Sequence, residues 1–194
     1  MASTRSRSRF RQMVLFARNF LKHPAMLGSV IPSSRFLVRH MLDQVNWEDA
    51  RVIVEYGPGV GTFTREILKR MRPDAKLVVF ETNVEFIDHL REWLTDPRVH
   101  LMHESAAKVD KVLAHMGLKR ADYIVSGLPF RIMPPEVRDA VLQATRDTLH
   151  PDGGFLLFQY TRALETPLEH YFGSVHEEFE PLNIPPARLY YCAV

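Results

Sequence analysis

Apolar and polar positions follow two periods along the chain. Val52-Ile53-Val54, Leu77 to Phe80, Val99 to Met102, Tyr123 to Val125 and Phe155 to Tyr160 are short β-branched or aromatic runs, and they predict strands. Between them the spacing is helical: Thr62 to Arg70, Asn83 to Leu94 (Phe86, Leu90 and Trp93 apolar), Lys108 to His115, Pro135 to Leu149 and Ala163 to Phe172. Proline at the start of the fourth stands where no N–H is needed. Pro151-Asp152-Gly153-Gly154 reads as a turn. Val175 to Phe179 and Arg188 to Cys192 predict a final antiparallel pair across Pro181 to Pro186. Upstream, Ser33 or Ser34 suits the N-cap of a helix running to about Val45, with Phe36, Leu37, His40 and Met41 on one face. Strands alternating with helices imply an α/β fold: a mostly parallel sheet with helices on both faces.

The first 42 residues differ from the rest. Met1 to Arg9 is rich in Arg and Ser, a composition that does not fold alone. Phe10, Met13, Val14, Ala17, Phe20 and Leu21 then recur at i, i+3, i+4 spacing, an amphipathic helix that Phe16 widens. Eight of the 25 Lys/Arg precede Asp43, the first acid, so the remainder holds 17 basic against 23 acidic residues. A basic segment on an acidic body suggests an anionic partner. Arg18 interrupts the apolar stretch, which argues against a signal peptide. A transit peptide, a helix packed on the domain, an RNA contact and an interfacial membrane helix all fit the composition. The last is the sharpest reading. Phe10, Phe16 and Phe20 would face lipid, and Arg9, Arg11, Arg18 and Lys22 would face an anionic membrane surface.

Composition narrows the remainder. The chain of 194 residues suffices for one α/β domain with a real core. It carries no 20-residue apolar span, repeat or low-complexity tract. The single cysteine, Cys192, excludes an intrachain disulfide and a cysteine cluster for zinc, and the histidines lack ligand spacing. A metal-free cytoplasmic protein, held peripherally at the inner face of the cell membrane, is expected.

Candidate chemistry centres on Arg51 to Thr64. Glu55 follows the first strand, and Gly57, Gly59 and Gly61 come at alternate positions before a helix. Glycines tolerate positive φ and let backbone N–H groups approach a ligand. The second strand ends in Glu81, near the ~20-residue distance at which a ribose-binding acid is expected. A dinucleotide motif would need glycine at 62, where Thr62 stands. The pattern E-x-G-x-G-x-G resembles instead the first motif of class I S-adenosylmethionine-dependent methyltransferases. That resemblance implies S-adenosyl-L-methionine as cofactor and a Rossmann-like, seven-stranded mostly parallel sheet, with residues 1–46 a basic amphipathic helix and lid and residues 47–194 the cofactor-binding domain. Glu55, Glu81, Ser105, Ser126 and Tyr160 all fall at strand ends, consistent with one site. Candidate cofactor contacts are Ser29, Glu55, Tyr56, Gly57, Gly59, Gly61, Glu81, Thr82, Ser105, Ala106, Gly127 and Leu128. A connecting glycine turn without a ligand is the plain alternative.

Ser126-Gly127-Leu128-Pro129-Phe130 follows the fourth strand. Methyl transfer needs a desolvated, well-placed nucleophile, and a proline-fixed loop can offer carbonyls to an amine. Phe130 is the candidate catalytic ring for cation–π stabilisation of the developing ammonium, worth roughly 0.5–2 kcal/mol. Tyr160 is a candidate to orient the headgroup or relay its proton. The alternatives are a buried Phe in a connecting loop and a Tyr whose hydroxyl meets water.

This loop resembles the N-L-P-Y loop of rRNA adenine dimethylases, where Asn grips the exocyclic amine. Gly127 stands at the matching position, and the C-terminal helical domain of that family is not expected, since the sequence reads as ending about where the Rossmann body does. A fuller resemblance is to the soluble bacterial phospholipid N-methyltransferases that convert phosphatidylethanolamine to phosphatidylcholine. It rests on F-L-K-H-P-A-M-L-G-S-V-I-P-S-S-R in Phe20–Arg35, V-E-Y-G-P-G-V-G in Val54–Gly61, S-G-L-P-F in Ser126–Phe130 and N-I-P-P-A-R in Asn183–Arg188. It implies an amine-bearing phospholipid substrate, with another amine lipid such as ornithine lipid indistinguishable in sequence, and nucleic acid less favoured. Many class I enzymes bear Asp after the third strand for the adenine amine; Glu104-Ser105 stands here.

Overall fold

The computed structural model describes residues 33–194. Ser29 and the expected membrane contacts Arg9, Phe10, Arg11, Phe16, Arg18, Phe20 and Lys22 lie outside the described residues.

Helix α1 (Arg35–Leu42) starts at Ser34, whose Oγ accepts the Leu37 N–H at 3.1 Å and so satisfies an otherwise orphan donor. It buries Leu37, Val38, Met41 and Leu42, whereas Phe36 is 40% exposed beneath the Arg35 guanidinium. The stripe therefore lies one residue on from the expected face. Imidazole His40 is turned sideways instead, between the carboxylates of Glu178 (2.5 Å) and Glu180 (3.1 Å).

Alternating units follow: β1 (Val52–Tyr56), α2 (Thr62–Arg70), β2 (Lys76–Glu81), α3 (Val84–Arg91), β3 (Val99–His103), α4 (Val109–His115), β4 (Ala121–Ser126), α5 (Pro135–Thr148) and β5 (Leu149–Gln159). Helix α6 (Glu165–Tyr171) and the strands β6 (Ser174–Glu180) and β7 (Ala187–Ala193) complete the chain. They form one seven-stranded sheet of order β3-β2-β1-β4-β5-β7-β6, in which β7 alone runs antiparallel to its neighbours. This is the mostly parallel sheet the alternation predicted, in the seven-stranded Rossmann-like arrangement the resemblance implied.

Strand alternation splits the core in two. Val54, Tyr56, Val78, Phe80, Ile124, Phe155 and Leu157 face α4, α5 and α6. Ile53, Leu77, Val79, Val125, Leu156 and Phe158 face α1 and α2. Both faces are covered, so the central strands are mostly apolar, as a parallel sheet requires, with Glu55 and Ser126 the buried polar exceptions near the ends of β1 and β4. The order reverses between β1 and β4, which opens a crevice at their carboxyl ends where open α/β sheets bind ligands.

One expected turn is a strand. Residues 151–154 continue β5 through an irregularity, because Ala121 pairs with Leu149 but Tyr123 pairs with Gly154. Asp122 stands opposite the extra residues, its carboxylate fixed by the N–H groups of Arg51 and Val52, both at 2.8 Å. A side chain at Gly153 would meet the Asp122 carbonyl at 2.4 Å, so glycine permits the close approach.

Candidate active site

Strand β1 ends in a backbone cradle. Gly57, Gly59 and Gly61 have φ of 64°, 54° and 79°, the left-handed region that side chains disfavour. Gly61 also serves as the N-cap of α2, and a Cβ there would lie 2.5 Å from the Trp93 ring. Arg65 braces the turn: its guanidinium stacks on Trp93 at 3.7 Å and donates to the Val60 carbonyl at 2.8 Å. Gly59 differs from its neighbours, since a Cβ there would meet nothing within 4 Å. Open space lies over the middle of the turn.

Two acids border that space, and burial treats them differently. Glu81, at the end of β2, accepts the Thr82 and Asn83 N–H groups at 2.8 Å on one oxygen and the Gly59 N–H at 3.4 Å on the other. It ties the second strand end to the glycine turn. Burial raises its pKa and these N–H donors hold the rise back. Glu55 is 2% exposed, and among the described residues its oxygens make no hydrogen bond of ordinary geometry, the Thr64 hydroxyl and N–H being the donors that lie beside them. Burial pushes its carboxyl up to about 7. A buried acid with unused oxygens below an open glycine turn suits a cationic ligand. S-adenosyl-L-methionine, with its ammonium and sulfonium, fits this set: Glu81 for ribose hydroxyls, the turn for the amino-acid part.

The other candidate cofactor residues divide. Ser105 Oγ accepts the Ala107 N–H at 3.3 Å and Ala106 is buried, so both shape the floor after β3 through backbone. Glu104 accepts the Ser105 N–H and pairs with Lys108 at 2.9 Å. The Thr82 carbonyl takes the His103 Nε2 donor at 3.1 Å, on the tautomer that carries hydrogen there. Tyr56 needs correction. Its ring is fully buried edge-on to Phe80, with its hydroxyl 3.3 Å from Thr145. It reaches the site only through its carbonyl, which accepts the Gly127 N–H at 2.8 Å.

The loop after β4 forms the second wall. Gly127 packs so tightly on the glycine turn that a Cβ would lie 2.9 Å from the Gly57 carbonyl, and Leu128 covers Gly57 from the other side. Any side chain at 127, an amide included, would push the two loops apart. Phe130 also needs correction. It is 1% exposed and packs edge-on to Phe155, so its ring belongs to the core and offers no face to an amine. The local reason is a tight turn over Phe130–Ile132, which folds the ring inward and leaves Ile132 outside at 40% exposure.

Two polar residues that the sequence did not mark as site residues sit in this wall. Gln159, at the end of β5, is 6% exposed, and its Nε2 donates to the Leu128 carbonyl at 3.0 Å. Asn183 is 1% exposed; its Oδ1 accepts the Ser34 N–H at 2.9 Å and its Nδ2 donates to the Pro185 carbonyl at 2.7 Å. Tyr160 lies beside Asn183 and edge-on to Phe158. Burial raises its phenol pKa, so the hydroxyl stays protonated. Asn183 heads the N-I-P-P-A-R segment that carries part of the resemblance, and it is a lone amide in the apolar run P-L-N-I-P-P.

Comparison with known proteins agrees with this geometry. The family described as ribosomal RNA adenine dimethylase matches residues 21–133. An ornithine lipid N-methyltransferase of Singulisphaera acidiphila is 32% identical over 92% of this chain and 94% of its own length. A ribosomal RNA small subunit methyltransferase A of Clostridium perfringens is 34% identical over 43% of this chain, a match spanning 28% of that protein. Among solved structures, the 16S rRNA N2 G1207 methyltransferase of T. thermophilus, in complex with AdoMet and guanosine, superposes with a TM-score of 0.63 at 22% identity, over 86% of this chain and 44% of that one.

Proposed function

The chain belongs to the ribosomal RNA adenine dimethylase family of methyltransferases, and we propose that this member methylates the headgroup amine of a membrane lipid. It is an S-adenosyl-L-methionine-dependent N-methyltransferase. Two amine lipids are the candidate substrates, phosphatidylethanolamine and ornithine lipid. The similarity to the ornithine lipid N-methyltransferase, which extends over nearly both chains, supports the amine-lipid class.

The observation that carries the reading is Gly127. A base methyltransferase of the N-L-P-Y type grips its target with an amide here, and the 2.9 Å approach to Gly57 leaves no room for one. The substrate amine therefore meets carbonyls and the Gln159 amide rather than a planar base clamp. The cofactor supplies an electrophilic methyl on a sulfonium. The protein holds the amine lone pair towards it and excludes water. Gln159 fixes the Leu128 carbonyl, and its amide oxygen supplies the acceptor that Gly127 lacks. Tyr160, kept as a phenol, offers a hydrogen bond at the mouth. A lipid ammonium must give its proton to solvent as it enters, and desolvation in the crevice beside Leu128 favours the neutral amine.

Labelled S-adenosylmethionine given with phosphatidylethanolamine vesicles, ornithine lipid vesicles and rRNA in separate reactions tests this. Label is expected in at least one lipid and not in rRNA. Label in rRNA alone overturns the proposal in favour of adenine methylation, the activity in the family's description.

A further inference from the structure

The described residues expose eight large apolar side chains, and their distribution is uneven. Phe36 begins α1, Ile132 follows β4, Phe179 ends β6, and Leu182 and Ile184 lie between β6 and β7. All five stand at the carboxyl ends of the parallel strands, the end that carries the glycine turn, Gly127 and Gln159. Phe179 is level with Gln159, since both pair with Arg188 across β7.

The densest part is the 181–186 loop. Pro181, Leu182, Ile184, Pro185 and Pro186 are all exposed, with Leu182 at 59% and Ile184 at 77%. Surface loops are ordinarily polar, so an apolar one signals an interaction. It is held in shape rather than collapsed: Asn183 points inward to the Ser34 N–H and the Pro185 carbonyl, and its neighbours on either side point out. The same bond sets Phe36 beside the loop.

Charge identifies the occupant. Arg35, Arg131 and Arg162 are exposed around this rim, and among the described residues Arg35 and Arg131 make no ion pair. The adjoining groove between α1 and α2 adds Arg39, Arg65, Lys69 and Arg70, against Glu66 and, pairing with Arg39 and Arg70, Asp43. The acids of β6 are engaged beside the rim: Glu178 and Glu180 close on His40, and Glu177 takes Arg188 and Arg162, which leaves Arg35 and Arg131 as the rim's unpaired cations among the described residues. Aliphatic tips ringed by arginine match the interface of an anionic bilayer, where apolar side chains enter the acyl boundary and cations meet phosphates. Nucleic acid offers Leu182 and Ile184 no such apolar layer.

We propose that Phe36, Ile132, Phe179 and the 181–186 loop form a membrane-docking rim that seats the enzyme with its site opening on an anionic bilayer. The proposal rests on the amine-lipid reading for its purpose, but its test reads binding alone. The full chain carrying Leu182→Ser and Ile184→Ser should sediment with phosphatidylglycerol-containing vesicles roughly tenfold less than wild type or weaker, from the loss of two buried aliphatic side chains. Cofactor affinity by calorimetry should stay within about twofold, since both side chains are exposed and outside the cradle. An Ile184→Cys variant carries a solvatochromic label selectively, because Cys192 is buried. Its emission should shift to the blue on vesicle addition. Undiminished sedimentation of the double variant, or no shift at position 184, overturns the proposal. So does a shift that needs no vesicles and grows with protein concentration, which assigns the patch to a second copy, or one produced by RNA in place of lipid. Docking without lipid label in any reaction would leave the rim standing and sink the amine-lipid function; label in micellar lipid without docking would do the reverse.

Discussion

The two halves of the site are built by different means. On the β1–β2 side the ligand space is bounded by backbone: three glycines at positive φ and one carboxylate spanning from Glu81 to the Gly59 N–H. On the β4–β5–β7 side it is bounded by side chains that reach across the sheet: Gln159 to the Leu128 carbonyl, and Asn183 to Ser34 at a separation of 149 residues. A backbone cradle constrains which residues occupy it, because only glycine tolerates the geometry. A side-chain wall constrains contacts and leaves the sequence freer. The first half suits a cofactor common to many enzymes, and the second suits a substrate that varies.

Damage to the cradle should be global and damage to the wall local. The largest effect is expected from Gly61→Val, which combines a strained left-handed residue with a Cβ 2.5 Å from Trp93. A loss of about 4 kcal/mol is expected by denaturant titration; a stability change near zero would show that Trp93 moves freely and the cradle is not rigid.

Glu55 comes next. Its folded pKa, about 7, lies above the ordinary carboxyl value of 4.5. The folded state therefore binds more protons between those values, and stability falls as pH rises from about 4.5 to 7, then levels. Up to about 3 kcal/mol of such decline is expected without cofactor. Glu81, also raised, adds in the same direction. Glu55→Gln should remove most of the slope, and a slope unchanged in that variant would mean the carboxyl is ionised at no cost.

A smaller effect attaches to Glu81→Ala. Loss of charge-assisted bonds of about 2 kcal/mol predicts roughly thirtyfold weaker S-adenosylmethionine binding by calorimetry; an unchanged affinity contradicts the ribose assignment. Gln159→Leu should be mildest and most local. It keeps the volume, frees the Leu128 carbonyl, and should lower kcat about tenfold with cofactor affinity intact. A parallel loss of cofactor binding would mean that Gln159 supports the cradle rather than the substrate.

That division also explains what the sequence disclosed. Strands facing two apolar layers, and glycines at alternate positions, leave marks that periodicity detects, so β1, β2, β4 and the turn were legible. The extra residues opposite Asp122 were not, because Pro151-Asp152-Gly153-Gly154 has turn composition whether or not it is paired. Phe130 was assigned to chemistry because an aromatic after a proline loop carries no sign of the direction its ring takes; packing on Phe155 decided that. Tyr56 alternates with Val54 into the α4–α5 side, a parity visible only once both neighbours of β1 are known. Gln159 and Asn183 act through partners 31 and 149 residues away, and no local pattern encodes such a pairing.

The bond between Ser34 and Asn183, with His40 held by Glu178 and Glu180, has a consequence for biosynthesis. Synthesis is vectorial, so α1 leaves the ribosome long before β6 and β7 exist. The cradle of β1, α2 and β2 draws on neighbours made within a short interval. The apolar rim does not, because α1 must wait for the last strands before Phe36 and the 181–186 loop come together. The order of translation thus keeps the sticky face unassembled until the chain is nearly complete.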